Sequence, residues 1–504
     1  MTRLRRLLAR LLPLALLSLA APSAFAQGGT YWVATDGSDT SGDGSSANPW
    51  ATITKAVDTV PDQALVLVRP GTYNGRVNLR QTFAQGITVR AETPYQARLR
   101  HTQTVVTCYE CQGVTLEGFD IAHSGAGAGA LVIQIQDLIG PPDHTSRVVL
   151  RDNVIHDSWN NDLVKINNGA RDVLVEGNLF YNQSGSDEHI DVNSVDGVTV
   201  RGNVFFNDFA GSGRTNGNDT SSYVVIKDSN GSDDDLLGAR NVVVSGNVFL
   251  HWEGSTGSSF VLIGEDGQPF HEAFDVVVEN NLMLGDSANV MRVPFGIKGS
   301  RDVIFRHNTV VGDLPALAYA MRLNREGSNL QVEDASFFGN VWSDPTGTLG
   351  STGAGNPNDF SDTPPADLLS FTLRRNHYWN GPNPLPFDAA ERINTTDDTE
   401  GQVGNPQLPA ATAIVPPRWN PASGLFADGS VRIAQVLEKL VLERGTPGAG
   451  SPLFAAGDPA VAPATDILGR PRSANPTLGA VELGFLFADG FETGNTGAWS
   501  ATVP

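Results

Sequence analysis

Hydrophobic and polar positions alternate along most of this chain in short runs, and the runs recur. Val173-Leu174-Val175, Leu179-Phe180-Tyr181 and Val204-Phe205-Phe206 are typical. Period-2 alternation rich in Val, Ile and Phe predicts strands. Between consecutive runs stands a turn ending in asparagine: Asn153, Asn178, Asn203, Asn247, Asn281, Asn308, Asn340 and Asn376, with Phe119 in that slot of an earlier copy. Successive asparagines lie 25, 25, 44, 34, 27, 32 and 36 residues apart. A minimum near 25 residues with variable insertions predicts three short strands per coil, with loops growing from one corner. Asparagine tolerates the left-handed backbone that a sharp turn needs. Stacked coil on coil, the amides can form a hydrogen-bonded ladder. The expected fold is all-β, a single-stranded right-handed parallel β-helix. A propeller would show longer, more even repeats, and leucine-rich repeats a leucine signature that is missing.

The ends read as caps. After Asn48-Pro49, the residues Trp50, Ile53 and Val57 share one helical face, predicting an N-terminal helix over the open end of the core. Residues 344–430 are rich in Pro, Gly and Asp and read as long loops with one late coil around Asn376. Val431 to Glu443 predicts an amphipathic helix with Ile433, Val436, Leu437 and Leu440 on one face. At the start, Arg3, Arg5, Arg6 and Arg10 precede the apolar run Leu11–Ala21 and the small-x-small site Ala24-Phe25-Ala26. This predicts a cleaved signal peptide, a mature chain from Gln27, and a secreted or cell-surface product. The apolar run is too short to span a bilayer, and no later stretch reaches membrane length. The resulting division is a signal peptide over 1–26, a capped β-helix over 27–343, a late coil, long loops and capping segment over 344–484, and a tail over 485–504.

Composition supports an array over several globular domains: Gly 54 and Pro 30 in 504 residues, with hydrophobics at 40%. The formal charge of −21 argues against a nucleic-acid partner, which needs a basic surface. A monomer is expected. The two cysteines, Cys108 and Cys111, lie between strand-like runs and lack the helix N-terminus that a redox motif needs. They predict a local disulfide or two buried thiols.

Tyr31-Trp32-Val33-Ala34-Thr35-Asp36-Gly37-Ser38-Asp39, Pro49-Trp50 and Arg69-Pro70-Gly71-Thr72-Tyr73 resemble the opening of secreted β-helix proteins of the pectin-lyase-like superfamily. Gly450-Ser451-Pro452-Leu453, Asp466-Ile467-Leu468-Gly469-Arg470-Pro471-Arg472 and Leu478-Gly479-Ala480-Val481-Glu482 resemble their closing motif. The tail, from Phe487 through Trp499-Ser500, resembles a short element that ends many exported bacterial proteins, with Thr493 in place of the usual Ser. It implies a sorting or surface-display tag.

Chemistry in such an array must be read from columns, because equivalent positions of successive coils lie about 4.8 Å apart. The outward positions of one strand series align as Lys165, Asp191, Lys227, Gly264, Arg292 and Arg322, taking in two of only five lysines. Nearby loops hold Trp159, Asn161, Asp162, Asp187, Glu188, His189, Trp252, Glu265 and Asp266. A cationic row on an acidic exported protein suits a uronic-acid polysaccharide. Cleavage by β-elimination needs a base of lowered pKa and a cation that neutralises the carboxylate. Lys165 or Lys227 is the expected base, with depression of its pKa by neighbouring cations, and His189 is a third candidate. Arg292 and Arg322 are expected carboxylate or leaving-group partners. Asp162, Asp187, Glu188 and Asp191 offer hard oxygen ligands for Ca2+. Trp159 and Trp252 suit stacking on sugars or capping of the core, and Asn161 suits substrate contact. The glycine would leave room for a ligand to reach the backbone. The column equally fits a solvated sheet face with Lys–Asp pairs, and a non-catalytic sugar-binding or structural module is the alternative. The resemblance to lysine- and calcium-using polysaccharide lyases is one of residue types, since the Trp-Ile-Asp-His, Gly-His-Gly and Arg-Ile-Lys motifs of better-known relatives are absent.

Overall fold

The computed structural model describes residues 28–483 apart from 139, 142, 186, 216–219, 232, 255–258, 286–290, 313–317 and 351–358. The expected signal peptide and tail lie outside the described residues. The alternating runs form strands of three long parallel sheets, and each complete coil adds one strand to each. The first sheet has 12 strands, from Thr30–Val33 to Phe371–Arg374. The second has 10, from Val77–Leu79 to Ser361–Asp362. The third has 12, from Gly71–Asn74 to Gln402–Val403. This is an all-β right-handed parallel β-helix, as the repeat predicts. Among the described residues no helix is long and apolar enough to cross a membrane.

The core forms because every strand sends alternate residues inward and the coils keep register. Phe180, Phe205 and Phe249 stack at centroid separations of 4.8 and 4.9 Å, one per coil. Burying each such ring contributes about 1.5–3 kcal/mol.

The asparagine ladder is present. Asn153, Asn178, Asn203, Asn247, Asn281, Asn308, Asn340 and Asn376 are all fully buried. Each Nδ2 donates to the Oδ1 of the next, at 2.9–3.1 Å. The same Oδ1 accepts the preceding asparagine's backbone N–H, as Asn178 does from Asn153 at 2.9 Å. Phe119 contributes its N–H to Asn153 at one end, and Asp398 accepts from Asn376 at the other. The turn's left-handed residue, however, is the one before the asparagine. Asp152, Gly177, Gly202, Gly246, Asn280, His307, Gly339 and Arg375 all have positive φ. The ladder asparagines are selected for their amides, not for their backbone.

The helix Ile53–Val57 closes the N-terminal end, with Thr52 as its cap and Trp50, Ile53, Ala56 and Val57 in the core. It begins three residues later than its apolar face, because Trp50 enters the core from a bridge to Val33. After the late coil, the chain turns back along the outside of the third sheet. Ile414, Trp419, Phe426 and the helix Ile433–Leu440 pack on Leu179, Val204, Val248 and Leu282. Ile433, Val436, Leu437 and Leu440 are its buried face. Over these strands the third sheet is thus buried on both faces. Cys108 and Cys111 are joined in a disulfide within the core at the start of the second sheet.

Candidate functional site

The site is built on the second sheet by a local break in alternation. Leu163-Val164, His189-Ile190, Tyr223-Val224 and Phe260-Val261 each place two consecutive residues in the interior. The residues flanking each pair, three apart, therefore leave the core on the same side. These are Asp162 and Lys165, Glu188 and Asp191, Ser222 and Val225, and Ser259 and Leu262. Register sets them side by side: Lys165 faces Asp191, Asp191 faces Val225, and Glu188 faces Ser222. In the first of these coils the break is visible in the sequence as polar–apolar–apolar–polar, Asp162-Leu163-Val164-Lys165, which a strict period-2 reading passes over.

Asp162, Glu188 and Asp191 form a buried trio whose ligand oxygens lie within 4.8 Å of one another. Asp162 Oδ1 accepts the Glu188 backbone N–H at 3.0 Å. Burial pushes the Asp162 carboxyl up to about 7, and the neighbouring Asp191 adds to the shift. Burial together with Glu265 and Asp162 raises Glu188 well above the usual carboxylate range. Asp187, outside the trio and half-buried, is raised to about 6, chiefly by burial. Asp191 Oδ2 pairs with Lys165, while its buried Oδ1 accepts no hydrogen bond. Three converging hard oxygens, one of them orphaned, fit a divalent cation of the calcium type. Of the four expected ligands, Asp162, Glu188 and Asp191 come together and Asp187 stands beside them.

The lysines require two corrections. Lys227 pairs in register with Gly264 and Asn193, not with Asp191, whose neighbour is Val225. The single row therefore splits into two columns two residues apart along the strands. A shift of two keeps the same face outward, so alternation alone cannot detect it. Second, the lysines are not depressed. Burial lowers the Lys165 ammonium, but Asp191 and Asp162 outweigh it and raise the group. Lys227 is raised much further, burial being overcome by Asp191, Glu265 and Glu188. Its Nζ lies 2.5 Å from Glu265 Oε2 and 3.7 Å from Asp266 Oδ1. Lysine neighbours among carboxylates hold their protons; the expected cationic row does not exist. Gly264 has φ +79°, and a Cβ there would meet the Lys298 carbonyl oxygen at 1.8 Å, so the glycine serves coil packing rather than ligand access.

The other nominated residues disperse. His189 is fully buried against Tyr223, with Nε2 3.0 Å from Asn207 Oδ1, and burial pushes its pKa down to about 3. It faces the core and cannot reach a polymer outside. Trp252 is also in the core, edge-on to Tyr223 and Phe260, which rules out stacking on a sugar. Trp159 is half-buried beneath the Arg214 guanidinium at 4.6 Å. Asn161 shapes the turn into Asp162, its Oδ1 accepting the Asp162 N–H at 2.9 Å. Arg292 precedes the strand Val293–Lys298 and lies off the column. Arg322 is on the Asp191 column but bound to Asp362 at 2.5 Å, and it lies three strands from Lys227, roughly 14 Å. Neither arginine joins the trio.

Residues 35–87 match the sequence family described as a protein of unknown function, DUF1565. No curated protein matches the chain. Among solved structures, pectate lyase Pel9A aligns over 91% of this chain and 97% of its own, at 16% identity and a TM-score of 0.52. An alginate lyase from Paenibacillus sp. str. FPU-7 covers 62% of this chain and 94% of its own, at 15% identity and a TM-score of 0.40. The A-module of the Azotobacter vinelandii mannuronan C-5 epimerase AlgE4 covers 65% and 90%, at 14% identity and 0.41. The match to Pel9A establishes the shared fold, the right-handed parallel β-helix.

Proposed function

We propose that this chain is an exported polysaccharide-active protein, a lyase that cleaves a uronic-acid polymer by β-elimination on the outer face of the second sheet. The observation that carries this reading is the buried trio Asp162, Glu188 and Asp191 beside Lys165 and Lys227. The trio would hold Ca2+. When bound, the cation neutralises the trio and polarises the substrate carboxylate, acidifying the proton α to it. Lys165 is bonded to Asp191 itself and so fixes that carboxylate's position. Lys227 pairs with Glu265, outside the trio, and would serve as base for the C5 proton only once Asp191 and Glu188, which help hold its proton, are neutralised by a bound cation. Pectate lyase Pel9A, which shares the fold, belongs to the reaction class proposed.

The test is release of unsaturated uronides, read by ultraviolet absorbance, from alginate, pectate and glycosaminoglycans with calcium and with chelator. Activity with calcium, lost on chelation and reduced roughly 10²–10⁴-fold in Lys227→Ala, supports the reading. No product from any polymer with calcium present overturns it. A second reading, a surface carbohydrate-binding module, is favoured by the ion pairs that keep both lysines protonated. It predicts polymer retention on an affinity gel with no chain shortening.

A further inference from the structure

The outer face of the second sheet continues upstream of the acidic trio. Register carries the Asp191 column back through Lys165, Gln134 and Thr107 to Asn78, on the first strand of the sheet. Four strand spacings, about 19 Å, separate Asn78 from Asp191. The next column, two residues along the strands, runs from Asn193 through Asn167 and Gln136 to Tyr109. Upstream of Asp191 neither column holds a carboxylate. Asn78, Tyr109, Gln134 and Gln136 are half-buried and uncharged. The Tyr109 hydroxyl donates to Gln134 Oε1, and Gln134 Nε2 donates to Gln136 Oε1 at 2.8 Å. This floor offers amides and a hydroxyl, which suit hydroxyl-bearing rings.

Two exposed arginines bracket its far end. In Arg76-Val77-Asn78-Leu79-Arg80, Val77 and Leu79 are buried, so Arg76 and Arg80 leave on the outer face to either side of Asn78. Arg80 lies 5.8 Å from the centre of the Tyr109 ring, and Arg76 Nε donates to the Thr104 carbonyl at 3.2 Å. Both guanidiniums act on the Tyr109 hydroxyl, lowering a pKa that burial raises. Among the described residues neither arginine has a carboxylate within 4.0 Å. Asp58, at the end of the N-terminal helix, accepts from Gln81 at 3.0 Å instead, and Glu110 has no cation within 4.0 Å. The cations further along the sheet differ. Lys165, Lys227, Lys298 and Arg322 are each bound to a carboxylate. An anion meeting those must displace a partner; one meeting Arg76 and Arg80 displaces only water. A guanidinium also matches a carboxylate with two parallel hydrogen bonds.

We propose that Arg76 and Arg80 form a second carboxylate-binding site for a uronic-acid polymer, on the strand about 19 Å upstream of the trio. The face then grips a long chain at two anionic points, with the uncharged floor under the sugars between them. This rests on the reading of the second sheet as a uronate-binding face, though not on cleavage there.

Affinity electrophoresis through gels containing pectate, alginate or neutral dextran tests it, with calcium and in a Lys227→Ala background that keeps the polymer whole. At least one uronate polymer should retard the chain, and dextran should not. Arg76→Gln with Arg80→Gln should weaken that retention about fivefold or more, while the affinity for a uronate disaccharide, too short to reach from the trio, stays the same. Arg80→Glu, at an exposed position, should weaken it as well even if the double variant does not fold. Arg90→Gln with Arg201→Gln removes the same charge from exposed positions of the first sheet and should change little. The proposal is overturned if no uronate polymer retards the chain, if dextran does so equally, if Arg80→Glu is retained like its parent, or if the first-sheet variant loses as much. Retention lost with the arginines, in a protein whose wild type releases no uronides, would sustain this site and sink the lyase reading. Uronides released with retention indifferent to the arginines would do the reverse.

Discussion

Three carboxylates brought within 4.8 Å and removed from water are an electrostatic cost that the chain carries until something offsets it. The Asp162 carboxyl, at about 7 in the fold against 3.8 ordinarily, keeps its proton where the unfolded chain has lost it. Native Asp162 therefore binds more protons than unfolded Asp162 between these values, and its contribution to stability falls as pH rises from about 4 through about 7. In chelator at pH 8, Asp162→Asn should raise Tm by roughly 2 °C or more, measured by calorimetry. Calcium should raise the Tm of the wild type and not that of the variant. A wild-type Tm indifferent to calcium would remove the trio's assignment as a cation site. The sequence pointed to Asp162 and Glu188 through their loops and to Asp191 through its column, because acidic side chains near one corner of a solenoid converge whatever the fine register. It misjudged the lysines for the same reason that alternation is informative. Period 2 fixes the face but not which of two registers applies, and the wrong register put Lys227 among cations instead of beside Glu265.

At the scale of the element, the asparagine ladder joins consecutive coils at a corner where backbone groups turn away from the sheets. Each rung satisfies a buried N–H and a buried C=O of the preceding coil's turn, as Asn247 does by accepting from Asn203 N at 2.9 Å and donating to Val200 O at 3.0 Å. Asn247→Leu leaves several of these groups unpaired at once and should cost about 3 kcal/mol or more in urea denaturation. An equal loss in Asn241→Leu, at an exposed position of the strand Ala239–Ser245, would show that the ladder itself is not what matters. The ladder was legible in the repeat because a fixed amide at every coil leaves the same letter at the same slot. Its backbone consequence was not, since the residue that takes the left-handed conformation varies among Gly, Asp, Asn, His and Arg. The helix Ile433–Leu440 was legible as amphipathic, yet nothing local said which surface its apolar face covers.

For the whole molecule, the return of the last described residues along the third sheet makes two outer faces unlike. One is packed under an arm and the other carries the charged columns. A chain ending at Gly404 should expose Leu179, Val204, Val248 and Leu282 and bind a hydrophobic dye. Dye binding no greater than in the longer chain would mean that the arm is dispensable to that face. Mass spectrometry of the exported product is expected to give a start at Gln27, and a retained N-terminus would refute the signal-peptide reading. By itself the sequence determined the solenoid, its coil length and its amide ladder, because these follow from patterns that repeat every coil and need only neighbours to be realised. Tertiary structure alone decided the register of the lysine columns, the burial of His189 and Trp252, and the packing of Trp419 on the third sheet. Those depend on which residues, up to some three hundred positions apart, are pressed together, as Ile433 N and the Tyr95 hydroxyl are at 3.4 Å. No local alternation of apolar and polar residues encodes such a contact.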